Sequence, residues 1–336
     1  MKEFLKKSWF VVLVGAILLG VAGYMSFDLL AQRLPAKNVD GKDVIFSYNG
    51  IDYTTDDLYD DLYEDYSFDT ILTYIELHVY RNAFEPDADL LSEAKIYTNN
   101  TMQNLKYQYG EDYKEILSYD LKKLGYSGDE NSLTEYYITY LMQQEVQKRF
   151  ISENIDTYFP KYALARNPRM ISHILVAIAD PENPTEEELA KLDEVKALLA
   201  EPDADFAAIA MQYSDDTGSG ANGGSLGVVD TTTIANYVEN FKNSIYTVGV
   251  GETTEWFQTE YGYHIILVVS ESPEDFLETD NFANLILSYY PGLTRAITWS
   301  ELERQGLELS GDEDLINRVK AYYEIEIDTS IPESAQ

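Results

Sequence analysis

Three histidines are the only imidazoles among 336 residues, and two of them sit in matching surroundings. His173 interrupts the apolar run Met170-Ile-Ser-His-Ile-Leu-Val176, and His264 interrupts a second run that closes Tyr263-His-Ile-Ile-Leu-Val268. Runs of this length, rich in aliphatic residues, read as buried strands, so each histidine rides on a strand. Two histidines are too few for zinc, and the chain has no cysteine. That excludes disulfides, thiolate metal sites and a cysteine nucleophile, and no metal or cofactor is expected. His78, among Leu77, Val79 and Tyr80, lacks a partner cluster and reads as a packed or surface side chain. Between the two strands lies Tyr213-Ser-Asp-Asp-Thr-Gly-Ser-Gly-Ala-Asn-Gly-Gly-Ser-Leu-Gly227. No lysine follows its Gly223-Gly-Ser-Leu-Gly227 at the spacing of a phosphate loop, so these glycines read as tight backbone turns.

Taken in order, the four blocks at Ser172–Val176, Tyr213–Asp216, Gly223–Gly227 and Tyr261–Ile265 resemble the parvulin family of peptidyl-prolyl cis-trans isomerases. Four ordered blocks over about a hundred residues are far more specific than a lone short motif. The resemblance implies that His173 and His264 lie on adjacent strands and hydrogen-bond one another or their neighbours. They would either hold the geometry or take part in proton movement. Asp216 matches the family position beside the twisting bond; its plainer reading is a turn or a cap ahead of Thr217-Gly218. Thr259 and Tyr261 are implied at the rim of the site. Leu226, Tyr237 and Phe241 match the apolar slot for the proline ring. Val228-Val-Asp-Thr-Thr-Thr-Ile-Ala-Asn-Tyr237 departs from the family pattern, leaving Ile234 as an alternative to Tyr237.

The implied chemistry needs no nucleophile. Amide resonance puts the rotation barrier at about 18–20 kcal/mol, and X-Pro isomers of similar energy exchange over tens to hundreds of seconds. Lowering the barrier ~10⁴-fold takes about 5.5 kcal/mol of stabilisation specific to the twisted amide. An apolar slot and a few polar groups suffice. Phosphate-directed parvulins carry basic residues after the first strand. This chain carries Ala179-Asp-Pro-Glu-Asn-Pro-Thr-Glu-Glu-Glu188, which would repel a phosphorylated client. Thr185 with Glu188 reads instead as a capping box opening a helix to about Leu199.

The remaining elements carry this segment. Lys2, Lys6 and Lys7 precede Ser8 to Phe27, which holds no charged residue. Roughly 20 residues make a helix of about 30 Å, the thickness of a bilayer core, and the lysines place its N-terminus in the cytoplasm. A cleaved signal peptide is the competing reading, and no A-x-A site follows the run. PrsA proteins end this region in a lipid-bearing cysteine, which is absent here. Val44 to Tyr53 reads as two strands around Asn49-Gly50, and Thr54 or Thr55 as the cap of the next helix. That entry resembles the chaperone regions of PrsA- and SurA-type foldases. Helices are expected over about 56–84, 90–124 and 133–158, and more helix from Pro273, with an alternating strand at Tyr322–Asp328.

The expected fold is thus α+β. A parvulin domain over 165–272, a four-stranded antiparallel sheet with surrounding helices, is inserted in a mostly helical chaperone domain made of 44–164 and 273–336. A cytoplasmic segment 1–7, one transmembrane signal anchor over 8–30 and a linker over 31–43 precede it. The acidic balance, 59 Asp and Glu against 24 Lys and Arg, argues against nucleic acid. The 28 tyrosines offer apolar area with a hydroxyl at the water boundary, for packing or for a client surface. The expectation is a single-pass cell-membrane foldase with an extracytoplasmic domain. Its partners would be unfolded secreted polypeptides with X-Pro bonds, the membrane through the N-terminal helix, and a second copy in a homodimer. The alternative is a chaperone whose parvulin domain does not turn over.

Overall fold

The structure, a computed structural model, describes residues 37–309 and 313–332. The expected membrane anchor over 8–30 lies outside the described residues, among which no helix is long and apolar enough to cross a membrane. The chain divides into a first unit to Tyr74 and a second from Ile75.

In the first unit, β1 (Lys37–Val39), β2 (Lys42–Tyr48) and β3 (Ile51–Thr54) form an antiparallel sheet in sequence order. Residues 37–43, read from sequence as the end of a linker, instead make a strand and a turn. Asp40-Gly41 and Asn49-Gly50 both have φ between 52° and 83°, the primed hairpin geometry that matches strand twist. Helix α1 (Thr55–Arg81) opens on Thr54, whose hydroxyl accepts from Asp57 N at 3.2 Å, while its own N–H donates to Asp57 Oδ2 at 2.7 Å. This reciprocal cap settles the choice between Thr54 and Thr55.

The second unit begins within α1 and continues through α2 (Ala88–Tyr109), α3 (Tyr113–Lys123), α4 (Glu130–Glu153) and α5 (Ile155–Arg166). Asp87 and Asp129 cap α2 and α4, accepting from Leu90 N at 2.9 Å and Ser132 N at 2.8 Å. The single helix expected over 90–124 is broken at Gly110, whose φ of 56° suits glycine. Next come β4 (Arg169–Ala177), α6 (Glu186–Leu199), α7 (Phe206–Tyr213), α8 (Thr217–Gly220), β5 (Ser225–Val229), α9 (Glu239–Ile245), β6 (Phe257–Thr259) and β7 (Gly262–Ser270). Their four strands pair antiparallel in the order β5-β4-β7-β6. The capping box at Thr185 and Glu188 is formed, with Thr185 N donating to Glu188 Oε2 at 2.7 Å.

Alternation along the strands sorts side chains onto two faces. Ile174, Val176 and Ile265 pack with Leu192, Val195 and Phe206 of α6 and α7. Ile171, Ile266 and Val268 pack with Ile234, Phe241 and Ile245 on the other side. The chain then returns through α10 (Pro273–Leu277), α11 (Phe282–Tyr289), α12 (Leu293–Arg304) and α13 (Glu313–Tyr323). Phe276, Phe282, Ile286 and Ile297 join Val79, Tyr80, Val146 and Tyr162 in one buried core. Tyr80 and Thr298 share a 2.7 Å hydroxyl contact, and Gln305 donates to Val79 O at 2.8 Å. The strand expected over 322–328 is absent. Tyr322 and Tyr323 end α13, and the stretch after it has no ladder. Its alternation is used by packing Ile327 against the helical core, while Lys161 Nζ reaches Asp328 at 2.8 Å.

Candidate functional site

The strand register sets the two histidines against one another. His173 pairs with Ile266 and Leu175 with His264, so both imidazoles leave the same face on a diagonal of the β4–β7 ladder. Their ring centroids are 5.9 Å apart and the planes 13° from parallel. Both are nearly fully buried.

Each is held from outside the pair. His173 Nε2 meets Asp216 Oδ2 at 2.7 Å and Ser219 Oγ at 2.9 Å, and the Ser219 hydroxyl donates to the same carboxylate oxygen at 2.6 Å. Asp216 also caps α8, its Oδ1 accepting from Gly218 N at 3.1 Å. The cap and the histidine contact are therefore one arrangement, using the two carboxylate oxygens separately. His264 Nε2 lies 2.7 Å from Thr259 Oγ1, which accepts from Tyr261 N at 3.1 Å. The Nδ1 atoms of both histidines are buried without a partner.

Burial governs the charge states. Loss of water pulls His264 down to about 4, helped by the neighbouring His173. Burial also pulls His173 down, against the opposing pull of Asp216. Partial burial pushes the Asp216 carboxyl up, but hydrogen bonds from Ser219 and His173 outweigh it, and the net shift is downward. At neutral pH the site holds two neutral imidazoles and one partly exposed carboxylate.

Aromatic edges surround the pair. Phe241 of α9 meets His173 at 5.4 Å and His264 at 5.5 Å, both edge-on. Phe257 of β6 stacks on His264 at 5.4 Å, and Tyr237 meets Phe241 edge-on at 5.4 Å. Leu226 packs against the same cluster. Ile234 is buried in the sheet's core, whereas Tyr237 is 36% exposed beside Phe241. Tyr261 enters the network through its backbone N–H, and its side chain is 58% exposed.

Two glycines let the backbones approach. A Cβ on Gly224 would lie 2.3 Å from His173 O, and on Gly262 2.2 Å from Val176 O, both at positive φ. Gly224 O in turn accepts from His173 N at 2.8 Å, pinning that histidine's backbone. Arg169 fixes α9 from its C-terminal end, donating to Ile245 O at 2.8 Å and Val248 O at 2.7 Å.

Sequence reasoning missed Ser219, Phe257 and Arg169. Ser219 stands three residues after the capping Asp216 at a helix start, a spacing that carries a legible signal. Phe257, two residues before Thr259 on a strand, shares its face by period alone. Arg169 has no local signal, because its acceptors lie 76 and 79 residues away.

Residues 164–272 match the family described as the PPIC-type PPIASE domain. Foldase protein PrsA of Geobacillus sp. (strain WCH70) is 30% identical over 174 residues, 51% of this chain and 54% of that protein. The chain thus spans about half the length of that relative. Chaperone SurA of Shewanella frigidimarina (strain NCIMB 400) is 38% identical over 96 residues, 26% of this chain and 21% of that one. The crystal structure of PrsA from Bacillus subtilis covers 85% of this chain and 99% of its own at 21% identity, with a TM-score of 0.41.

Proposed function

We propose that this chain, whose residues 164–272 form a parvulin-type peptidyl-prolyl cis-trans isomerase domain similar to those of the PrsA and SurA foldases, catalyses isomerisation of X-Pro bonds in unfolded polypeptides. The observation that carries the reading is an aromatic cluster around Phe241 packed on two neutral, buried imidazoles and edged by one carboxylate.

In this reading the proline ring sits against Phe241 and Leu226, with Tyr237 at the lip. Burial of the ring removes water from the amide, which weakens the charge-separated resonance form that makes the bond stiff. Asp216 lies where its charge is felt as the carbonyl swings out of plane, so it acts on the twisted state more than on either planar isomer. His173, His264 and Thr259 hold the carboxylate and the slot wall in register. No bond is made or broken and no cofactor is called for.

Binding without turnover is the second reading. It is favoured by the departure at Val228–Tyr237, the stretch leading into the slot. A protease-coupled assay with X-Pro peptides separates the two: acceleration above the thermal rate supports the isomerase, and its absence in the folded chain rejects it.

The extracytoplasmic, membrane-tethered setting belongs to the same proposal, resting on the uncharged run Ser8–Phe27 behind three lysines. Protease added to intact cells should digest the large domain. Survival there, with cleavage in a lysate, would reverse the orientation.

A further inference from the structure

Adjacent residues of β5 belong to different cores. Val229 packs with Ile171, Ile234 and Phe241 under the slot, whereas Val228 packs with Tyr162, Phe276 and Phe282 of the helical part. Two groups from that part grip the same stretch. Asn281 brackets Val228 with both ends of its amide, Nδ2 donating to Val228 O at 2.7 Å and Oδ1 accepting from Val228 N at 3.3 Å. It thereby pairs the free edge of β5, as a neighbouring strand would. The buried Tyr162 hydroxyl donates to Asp230 Oδ2 at 3.0 Å. The other oxygen, Asp230 Oδ1, accepts from Thr232 N at 2.9 Å and Thr233 N at 2.7 Å, holding the start of the 3₁₀ turn Thr233–Asn236. That turn ends at Tyr237, whose N–H donates to Ile234 O at 2.9 Å, and leads directly into α9 with Phe241. The segment that departs from the family pattern is therefore the link between the helical part and the slot's lip.

We propose that Tyr162 and Asn281 are positioning residues for the isomerase slot, acting through Asp230 and Val228, so that the helical part sets how tightly the slot holds a proline. The inference rests on the isomerase reading. A hydroxyl buried with one partner costs more to remove than an exposed one, and its loss leaves unpaired the Asp230 Oδ2 that anchors the carboxylate whose Oδ1 holds the 3₁₀ turn. Its effect should reach ligand affinity, because Tyr237 and Phe241 contact the ring in both ground and twisted states.

The test uses the full chain and X-Pro peptides. Tyr162→Phe keeps the buried ring and removes only the hydroxyl; Asn281→Ala removes the clamp. Both should raise KM about five-fold while kcat stays within about two-fold, the pattern of lost uniform binding. Ile297→Val, in the same helical core but with no polar group to hold Val228 or Asp230, should lower the melting temperature and leave KM unchanged. The inference fails if Tyr162→Phe and Asn281→Ala keep the parent KM, or if Ile297→Val raises it equally. A parent chain that is folded yet accelerates no X-Pro peptide would overturn the isomerase reading itself, and the inference with it.

Discussion

His173 and His264 lie diagonally across two paired strands with rings 5.9 Å apart, yet each spends its outward nitrogen on a different partner. His173 is tied to a carboxylate on a helix cap, His264 to a threonine at a hairpin turn. The pair thus joins the α8 turn to the β6–β7 hairpin against Phe241, and burial favours the neutral form of both rings.

The pH response follows from those depressed basicities. His264 titrates near 4 in the folded chain against 6.5 when exposed. Below 6.5 the unfolded state takes up protons that the folded state refuses, so this contribution to stability is complete above about 6.5 and is lost as pH falls toward 4. Charge on His264 should leave catalysis unaffected from about pH 6 to 8, since that imidazole stays neutral throughout. NMR titration of the His264 ring should show its midpoint near 4; a midpoint near 6.5 would contradict the buried neutral pair.

Asp216 divides its oxygens between a cap and a histidine, which allows its roles to be separated. Asp216→Asn keeps an oxygen for Gly218 N while removing the charge. We expect kcat to fall about 10- to 100-fold with peptide affinity nearly unchanged, as for a charged hydrogen bond felt mainly in the transition state. Asp216→Ala should lose stability as well, by about 1 kcal/mol for the missing cap, read as a lower melting temperature. Full activity in the asparagine variant would remove Asp216 from the site.

Gly224→Ala should be among the most damaging single-methyl changes. The new Cβ would stand 2.3 Å from His173 O at a φ of 75°, so the strand carrying His173 must move. A loss of about 3 kcal/mol or more, read by urea unfolding, is expected, with turnover falling in the fraction that still folds. Near-parental stability would mean that the turn relaxes without cost.

The acidic loop after β4 predicts substrate preference. It is held against the hairpin by Gln258 Nε2 donating to Pro181 O at 3.0 Å and Ile178 N donating to Tyr261 O at 3.1 Å. Peptides with lysine before proline should be turned over about 3- to 10-fold better than those with glutamate or phosphoserine, the gap shrinking in high salt. Equal rates at low salt would show that the loop's charge does not reach the substrate.

Local chemistry makes much of this chain legible in its sequence. Asn49-Gly50 marks a hairpin because only a few residues tolerate positive φ. Thr185 and Glu188 mark a helix start because a cap is satisfied within four residues. The aliphatic runs around His173 and His264 mark strands by composition, and the ordered short blocks between them point to the site. What tertiary structure alone decides is which side chains meet. Ile234 and Tyr237 are neighbours on one turn, and only the packed fold buries the first beneath the sheet and leaves the second at the surface beside Phe241. The linker expected up to Asp43 becomes a strand because β2 offers it an edge, and the strand expected at 322–328 forms no ladder, its Ile327 packing on helices instead. Tyr162 and Asp230 are 68 residues apart and Val228 and Asn281 are 53 apart. Periodicity and capping are properties of a few consecutive residues, whereas such contacts depend on how separate elements dock, for which one chain carries no repeating signal.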